Sequence, residues 1–238
     1  MTAPREKTFL LARPEGRVLE WIACRLPAWL MPDHLTALGV LAAIGITAAY
    51  ALSNQSDIWL WAASGLLVVH WLGDSLDGTL ARVRRSERPR YGYYLDHLVD
   101  AIATALIGLG LGLSPHMLML TGLVIVIVYL VLSINTYLET NTLGVFSLGY
   151  GRLGPTEARL ALIGVNTLLA LGLAPAISVA GLGVTVLDLV GLGVAGMLVA
   201  GLGVRAARNL RELARREPAA QAESTDSRGA LAAVGGAQ

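Results

Sequence analysis

Four aspartates carry the most legible chemistry in this chain: Asp74 and Asp77, then Asp96 and Asp100. Carboxylates three or four residues apart lie on one face of a helix, so each couple presents its acids together. Both couples lie next to long apolar runs, where an ionisable side chain is expensive and marks a functional site by default. Two antiparallel helices joined by a short loop would bring the couples face to face. The carboxylates would then repel severely unless cations neutralised them. Oxygen donors without cysteine suit magnesium, manganese or calcium rather than zinc. Two such ions can clamp the attacking and leaving oxygens of a phosphoryl displacement. Gly78 and Gly92 let backbone and substrate approach closely, and Arg82, one turn beyond Gly78, can reach a phosphate.

The elements that position these residues are apolar. Segments at 34–52, 58–82, 91–113, 117–137, 155–173 and 184–204 are each near the roughly 20 residues that a bilayer crossing needs. Ahead of them, Val18, Leu19, Ile22, Ala23 and Leu26 recur at helical spacing between Pro14 and Trp29, with Arg17, Glu20 and Arg25 in the other positions. That pattern predicts an amphipathic helix lying in the membrane interface. The expected fold is an all-α integral membrane protein of six transmembrane helices preceded by an interfacial helix. Residues 1–33 form an arm and that helix, 34–206 the six-helix domain, and 207–238 a cytoplasmic, largely disordered tail.

Composition agrees. The chain of 238 residues is 55% hydrophobic and 15% charged, against about 25% charged in soluble domains, and its mean hydropathy is +0.61. Cys24 is the sole cysteine, which excludes an intrachain disulfide and a cysteine metal cluster. The N-terminal residues lack the apolar core of a cleavable signal peptide. Every lysine and arginine falls before the first apolar segment, at the end of the second or between it and the third, around the fourth-to-fifth connection, or after the sixth. The positive-inside rule then puts both termini and the aspartates on the cytoplasmic side of the cytoplasmic membrane. Gly108/Gly112, Gly191/Ala195 and Gly196/Ala200 suit close helix packing, either within the chain or in a homodimer.

The run Asp74-Ser-Leu-Asp77-Gly78-Thr-Leu-Ala81-Arg82, followed by Gly92-Tyr-Tyr-Leu-Asp96-His-Leu-Val-Asp100, resembles the signature of the CDP-alcohol phosphatidyltransferase family, DxxDGxxAR then GxxxDxxxD. All eight specified positions match, and the spacer of nine residues, Val83 to Tyr91, is one longer than the usual form. Pro32 to Gly39 resembles the family's entry to its first span, with Asp33 where asparagine is common. The resemblance implies transfer of a substituted phosphate from a CDP-alcohol donor to an alcohol acceptor, with release of CMP, in phospholipid biosynthesis. It implies that Asp74, Asp77, Asp96 and Asp100 bind two magnesium or manganese ions and that Asp100 is the base on the acceptor. It also implies that Gly78, Ala81, Arg82 and Gly92 line the CDP pocket. CDP-diacylglycerol is the expected donor. Asp96-His97 and Asp100 resemble the DHxxD form of the choline/ethanolamine phosphotransferase branch, for which a CDP-headgroup donor with diacylglycerol is the alternative.

Other features admit plainer readings. Arg152 and Arg159 are candidates for an acceptor's phosphate, or for anchoring on inner-leaflet lipid. His70, one turn before Asp74, and His97 suit polar packing better than metal ligation. The GxGxxG at Gly149–Gly154 follows a membrane helix rather than a strand, which removes the dinucleotide reading. The arginines between Arg84 and Arg90 abut a membrane and lack interleaved aromatics, so no nucleic-acid partner is expected. A cation-coupled transporter is the alternative of another class, without the interrupted helices that such proteins use.

Overall fold

The computed structural model describes residues 11–144, 154–173 and 184–217. Among them the chain forms seven helices and no strand: α1 (Ala12–Ala23), α2 (Pro32–Leu52), α3 (Trp59–Val83), α4 (Pro89–Leu113), α5 (Met119–Leu143), α6 (Pro155–Ala170) and α7 (Val186–Arg216). Prolines open α2, α4 and α6, where a missing N–H costs nothing. Arg152, residues 174–183, the first ten residues and those beyond 217 lie outside the described residues.

Four helices, α2, α4, α5 and α7, are long and apolar enough to cross a membrane. The other two expected crossings fall short for different reasons. α3 has 25 residues, but His70, Asp74, Asp77 and Arg82 interrupt its apolar run. α6 has 16 residues, about 24 Å, against a hydrocarbon thickness of roughly 30 Å. Large apolar side chains face outward: Leu41 is 65% exposed, Leu120 72% and Met197 62%. An apolar outer belt of this extent suits a lipid environment rather than water. The protein is an all-helical, multi-pass membrane protein.

Close approaches fix the helix arrangement. α2 and α3 meet at Gly39 and Gly73, where a Cβ on Gly73 would stand 2.7 Å from both the Gly39 nitrogen and the Leu35 carbonyl oxygen. This contact sets Asp74, the next residue, against α2. Gly110 of α4 lies on α2, where its Cβ would be 2.8 Å from the Thr47 Cα. The Thr47 hydroxyl donates to the Leu106 carbonyl at 2.8 Å. Gly108 and Gly112 pack inside the chain: a Cβ on Gly122 of α5 would stand 2.7 Å from the Gly108 carbonyl oxygen, and one on Gly112 would stand 2.9 Å from Met119. Gly191 packs likewise on Ile125, whereas a Cβ on Gly196 would meet nothing within 4 Å among the described residues.

Buried polar groups are matched across helices. Tyr50 Oη donates to Asn166 Oδ1 at 3.2 Å, and Asn166 Nδ2 donates to Ser64 Oγ at 3.2 Å, joining α2, α6 and α3. Asp188, fully buried, accepts from the Leu118 and Thr185 amides at 2.9 and 2.8 Å. It thereby caps α7 and ties it to the start of α5.

α1 is shorter than the sequence pattern predicts, ending at Ala23 ahead of Pro27. It buries Leu19 and Ala23 with Leu35, Leu76 and Leu80, while Val18 and Trp21 stay exposed. α7 runs on through Arg205 to Arg216, because the arginine-rich stretch keeps a helical face.

The nine-residue spacer is absorbed at the end of α3. The Ser86 and Arg85 amides donate to the Ala81 and Arg82 carbonyls at 2.9 and 3.1 Å, the paired bonds of a Schellman turn. Its left-handed position is held by Arg85 at φ 52°, where a Cβ costs about 1–2 kcal/mol. Arg85→Gly should therefore stabilise the fold by about 0.5–1 kcal/mol, part of the relief being offset by the freer unfolded chain. A raised thermal midpoint in detergent checks this, and an unchanged or lowered midpoint counts against it.

Candidate active site

α3 and α4 both pack on α2, and there they bring three of the aspartates together. One carboxylate oxygen each from Asp74, Asp96 and Asp100 lies within 4.8 Å of the other two. Asp77 stands beside this trio on the wall of a small cavity, of about 10 Å³, that Thr36, Gly39, His70, Asp74, Asp96 and Val99 also line. It is held there from α2: Thr36 Oγ1 donates to Asp77 Oδ2 at 2.7 Å. Its other oxygen accepts the Gly78 amide at 2.5 Å.

The arginine that reaches this cluster is Arg159 of α6. Its Nη2 donates to Asp74 Oδ2 at 2.6 Å, across 85 residues of sequence. Arg82 instead folds back on its own helix, donating to Thr79 Oγ1 at 2.9 Å. Gly78, Arg82 and Gly92 are exposed, and Ala81 is half-buried. A Cβ on Gly92 would meet nothing within 4 Å, so the cytidylyl side of the expected pocket is open.

The donor set fits a divalent cation. Three carboxylates converge and a fourth lines the adjoining cavity, and among the described residues the guanidinium that pairs with them is that of Arg159. Such an excess of negative charge in a half-buried site is stable only with a cation or with protons. All the converging donors are carboxylate oxygens, which suit magnesium or manganese. His70 adds a polar atom to the cavity: it is 3% exposed, and its Nδ1 has no hydrogen-bond partner among the described residues.

Several supporting residues were not apparent from motif spacing. Glu15 of α1 accepts on one oxygen from Trp71 Nε1 at 2.8 Å, Thr156 Oγ1 at 3.0 Å and Ser75 Oγ at 3.4 Å. Trp71 and Ser75 flank Asp74, and Thr156 lies one turn before Arg159. The N-terminal helix thus braces the two helices that make the Asp74–Arg159 pair. Glu157 assists, accepting the Leu11 and Gly154 amides at 3.1 and 2.9 Å. His97 packs between Tyr93 and Tyr137, at centroid distances of 4.1 and 5.0 Å, and its Nδ1 lies 3.3 Å from Asp96. Glu139 of α5 is paired with Arg205 of α7. In the spacer, Arg84 donates to the Pro27 carbonyl at 2.8 Å. Arg88 pairs with Asp33 at 2.5 Å, so the acid that replaces the family's asparagine has its own cation. Of these, Asp33, Ser75 and His97 lie within the motifs quoted from the sequence, whereas Glu15, Trp71 and Thr156 lie outside them.

The family model of CDP-alcohol phosphatidyltransferase matches residues 29–201. The chain belongs to this family. The match takes in every member of the aspartate site, and it begins after α1, which leaves Glu15 outside it. Cholinephosphotransferase 1 of Gallus gallus is 30% identical over 155 residues, covering 60% of this chain and 44% of the relative. The proteins of the same name from Homo sapiens and Danio rerio are 27% and 26% identical over 176 and 156 residues, covering 68% and 60% of this chain. The chain spans 41% and 39% of those two proteins, so well under half of each relative is matched. Within the family's signature, the Asp74, Asp96 and Asp100 that spacing singled out are the three that converge.

Proposed function

We propose that this protein transfers a substituted phosphate group from a CDP-alcohol to the hydroxyl of an acceptor alcohol, releasing CMP, in phospholipid biosynthesis. The observation that carries the proposal is the convergence of Asp74, Asp96 and Asp100 from two helices whose residues match the family's signature. Asp74, Asp77, Asp96 and Asp100 hold two magnesium or manganese ions. Ions held there would supply neutralisation of the phosphates and of charge on the attacking and leaving oxygens. Asp100 accepts the proton of the acceptor hydroxyl. The freed oxygen attacks the phosphorus that bears the donor's alcohol, the bond from that phosphorus to the bridging oxygen breaks, and CMP leaves with that oxygen. Gly78, Ala81, Arg82 and Gly92 line the path of the cytidylyl group, which the exposure of Gly78 and Gly92 supports. Arg159, already at the cluster, and Arg152 meet the acceptor's phosphate where it has one.

In the same reading the body crosses the membrane six times, α1 lies in the interface, and both termini and the aspartates face the cytoplasm. The placement of every arginine and lysine supports that sidedness. A second copy would pack on the Gly196 and Ala200 face of α7, since Gly108 and Gly112 are already covered by α5. The transporter alternative loses support from α3 and α4, which run unbroken through their aspartates.

The donor has two readings. CDP-diacylglycerol is the one expected from the sequence. A CDP-headgroup donor with a diacylglycerol acceptor is favoured by the relatives, which are named as cholinephosphotransferases, and by the Asp96–His97 contact. Membranes carrying the protein should release CMP from one donor in a panel of CDP-diacylglycerol, CDP-choline and CDP-ethanolamine supplied with matched acceptors. Mass spectrometry of the lipid product names the acceptor. No CMP from any combination would overturn the reaction.

A further inference from the structure

A second cavity lies away from the aspartates, between the end of α5 and the C-terminal extension of α7. It has a volume of about 690 Å³, and its walls include Glu139, Leu143, Val204, Arg208, Arg211 and Arg215. Two neighbouring arginines are neutralised locally, Arg205 by Glu139 and Arg216 by Glu212. Arg208, Arg211 and Arg215 have no such partner among the described residues, and all three are exposed. With Val204 they fall at i, i+4, i+7 and i+11, a single stripe along one face of the helix. The groove therefore changes character along its length. Leu143 and Val204 make an apolar end where α7 leaves its membrane-length apolar run, and three uncompensated guanidiniums follow.

We propose that this groove binds the headgroup of an anionic phospholipid. The chemistry matches end to end. A glycerol backbone and the first acyl carbons would lie against Leu143 and Val204, and the phosphate would meet guanidiniums that form charge-assisted, bidentate bonds to its oxygens. The four arginines and two glutamates on this part of the wall leave a net positive groove, so a zwitterionic headgroup gains less. The site uses none of the signature residues, and it rests only on the reading of α7 as a helix that ends at a membrane surface. Failure of CMP release would leave it standing.

The test is native mass spectrometry of the full chain, titrated separately with phosphatidylglycerol and phosphatidylcholine, and with inorganic phosphate as competitor. Each arginine near a membrane surface contributes about fivefold in affinity, so Arg208→Gln/Arg211→Gln/Arg215→Gln should bind phosphatidylglycerol about a hundredfold more weakly. Binding of phosphatidylcholine should not change. The double variant Arg208→Gln/Arg211→Gln serves as a milder test and should lose about 25-fold. Circular dichroism of both variants reports the fold. Equal phosphatidylglycerol binding by wild type and a folded variant would overturn the proposal. So would displacement of the lipid by inorganic phosphate at equal concentration, which would make the groove a site for free phosphate.

Discussion

Asp100→Asn should lower the rate of CMP release by about a thousandfold, within the range that a positioned acid or base contributes. The substitution keeps the side chain's size and removes its charge and its ability to accept the acceptor's proton. Asp100 is one of three carboxylates whose oxygens lie within 4.8 Å of each other. Removing one negative charge from that cluster relieves repulsion, so the folded protein should persist and its thermal midpoint should hold or rise. Binding of the CDP-alcohol should remain measurable, because Gly78, Ala81, Arg82 and Gly92 are untouched. The informative comparison is single-turnover CMP release against equilibrium binding of the donor. A variant that turns over at the wild-type rate would remove Asp100 from the base role. A variant that loses donor binding together with turnover would make it chiefly a ligand.

Removal of divalent cations should have an effect of similar size, and it should be reversible. Chelator should abolish CMP release, and magnesium or manganese should restore it. Calcium, with longer and looser coordination, should bind without supporting comparable turnover. The charge excess gives a second readout independent of the reaction. Among the described residues, four carboxylates gather with the Arg159 guanidinium at the site, so a cation that binds only the folded cluster stabilises it by mass action. Magnesium at about a hundred times its dissociation constant should add about 2.7 kcal/mol. Asp96→Asn should reduce that stabilisation, because it removes one of the three converging oxygens. Turnover that survives chelation, or a midpoint indifferent to magnesium in the wild type, would dismiss the metal mechanism.

Much of the site was legible before any coordinates because its information is local. Asp74 and Asp77 at i, i+3, and Asp96 and Asp100 at i, i+4, share helical faces whatever the tertiary fold. Apolar length and the grouping of arginines specify membrane helices for reasons equally independent of packing. Crossing count was less legible. The polar residues that make α3 chemically useful are those that lower its hydropathy, and α6 stops after Ala170.

What sequence alone determined, then, is the inventory: which acids, on which helix faces, joined by which loop, in a chain built for lipid. The tertiary structure decided the partners. The Gly39–Gly73 approach places Asp74 against α2, Thr36 reaches across 41 residues to hold Asp77 on the cavity wall, and Arg159 reaches across 85 to meet Asp74. Glu15 spans 141 residues to Thr156 and braces that pair from the opposite end of the chain. The physical reason is that helical periodicity is dictated by neighbours in sequence. The meeting of side chains from different helices depends on interaxial distance and rotation, which small residues set far from the site.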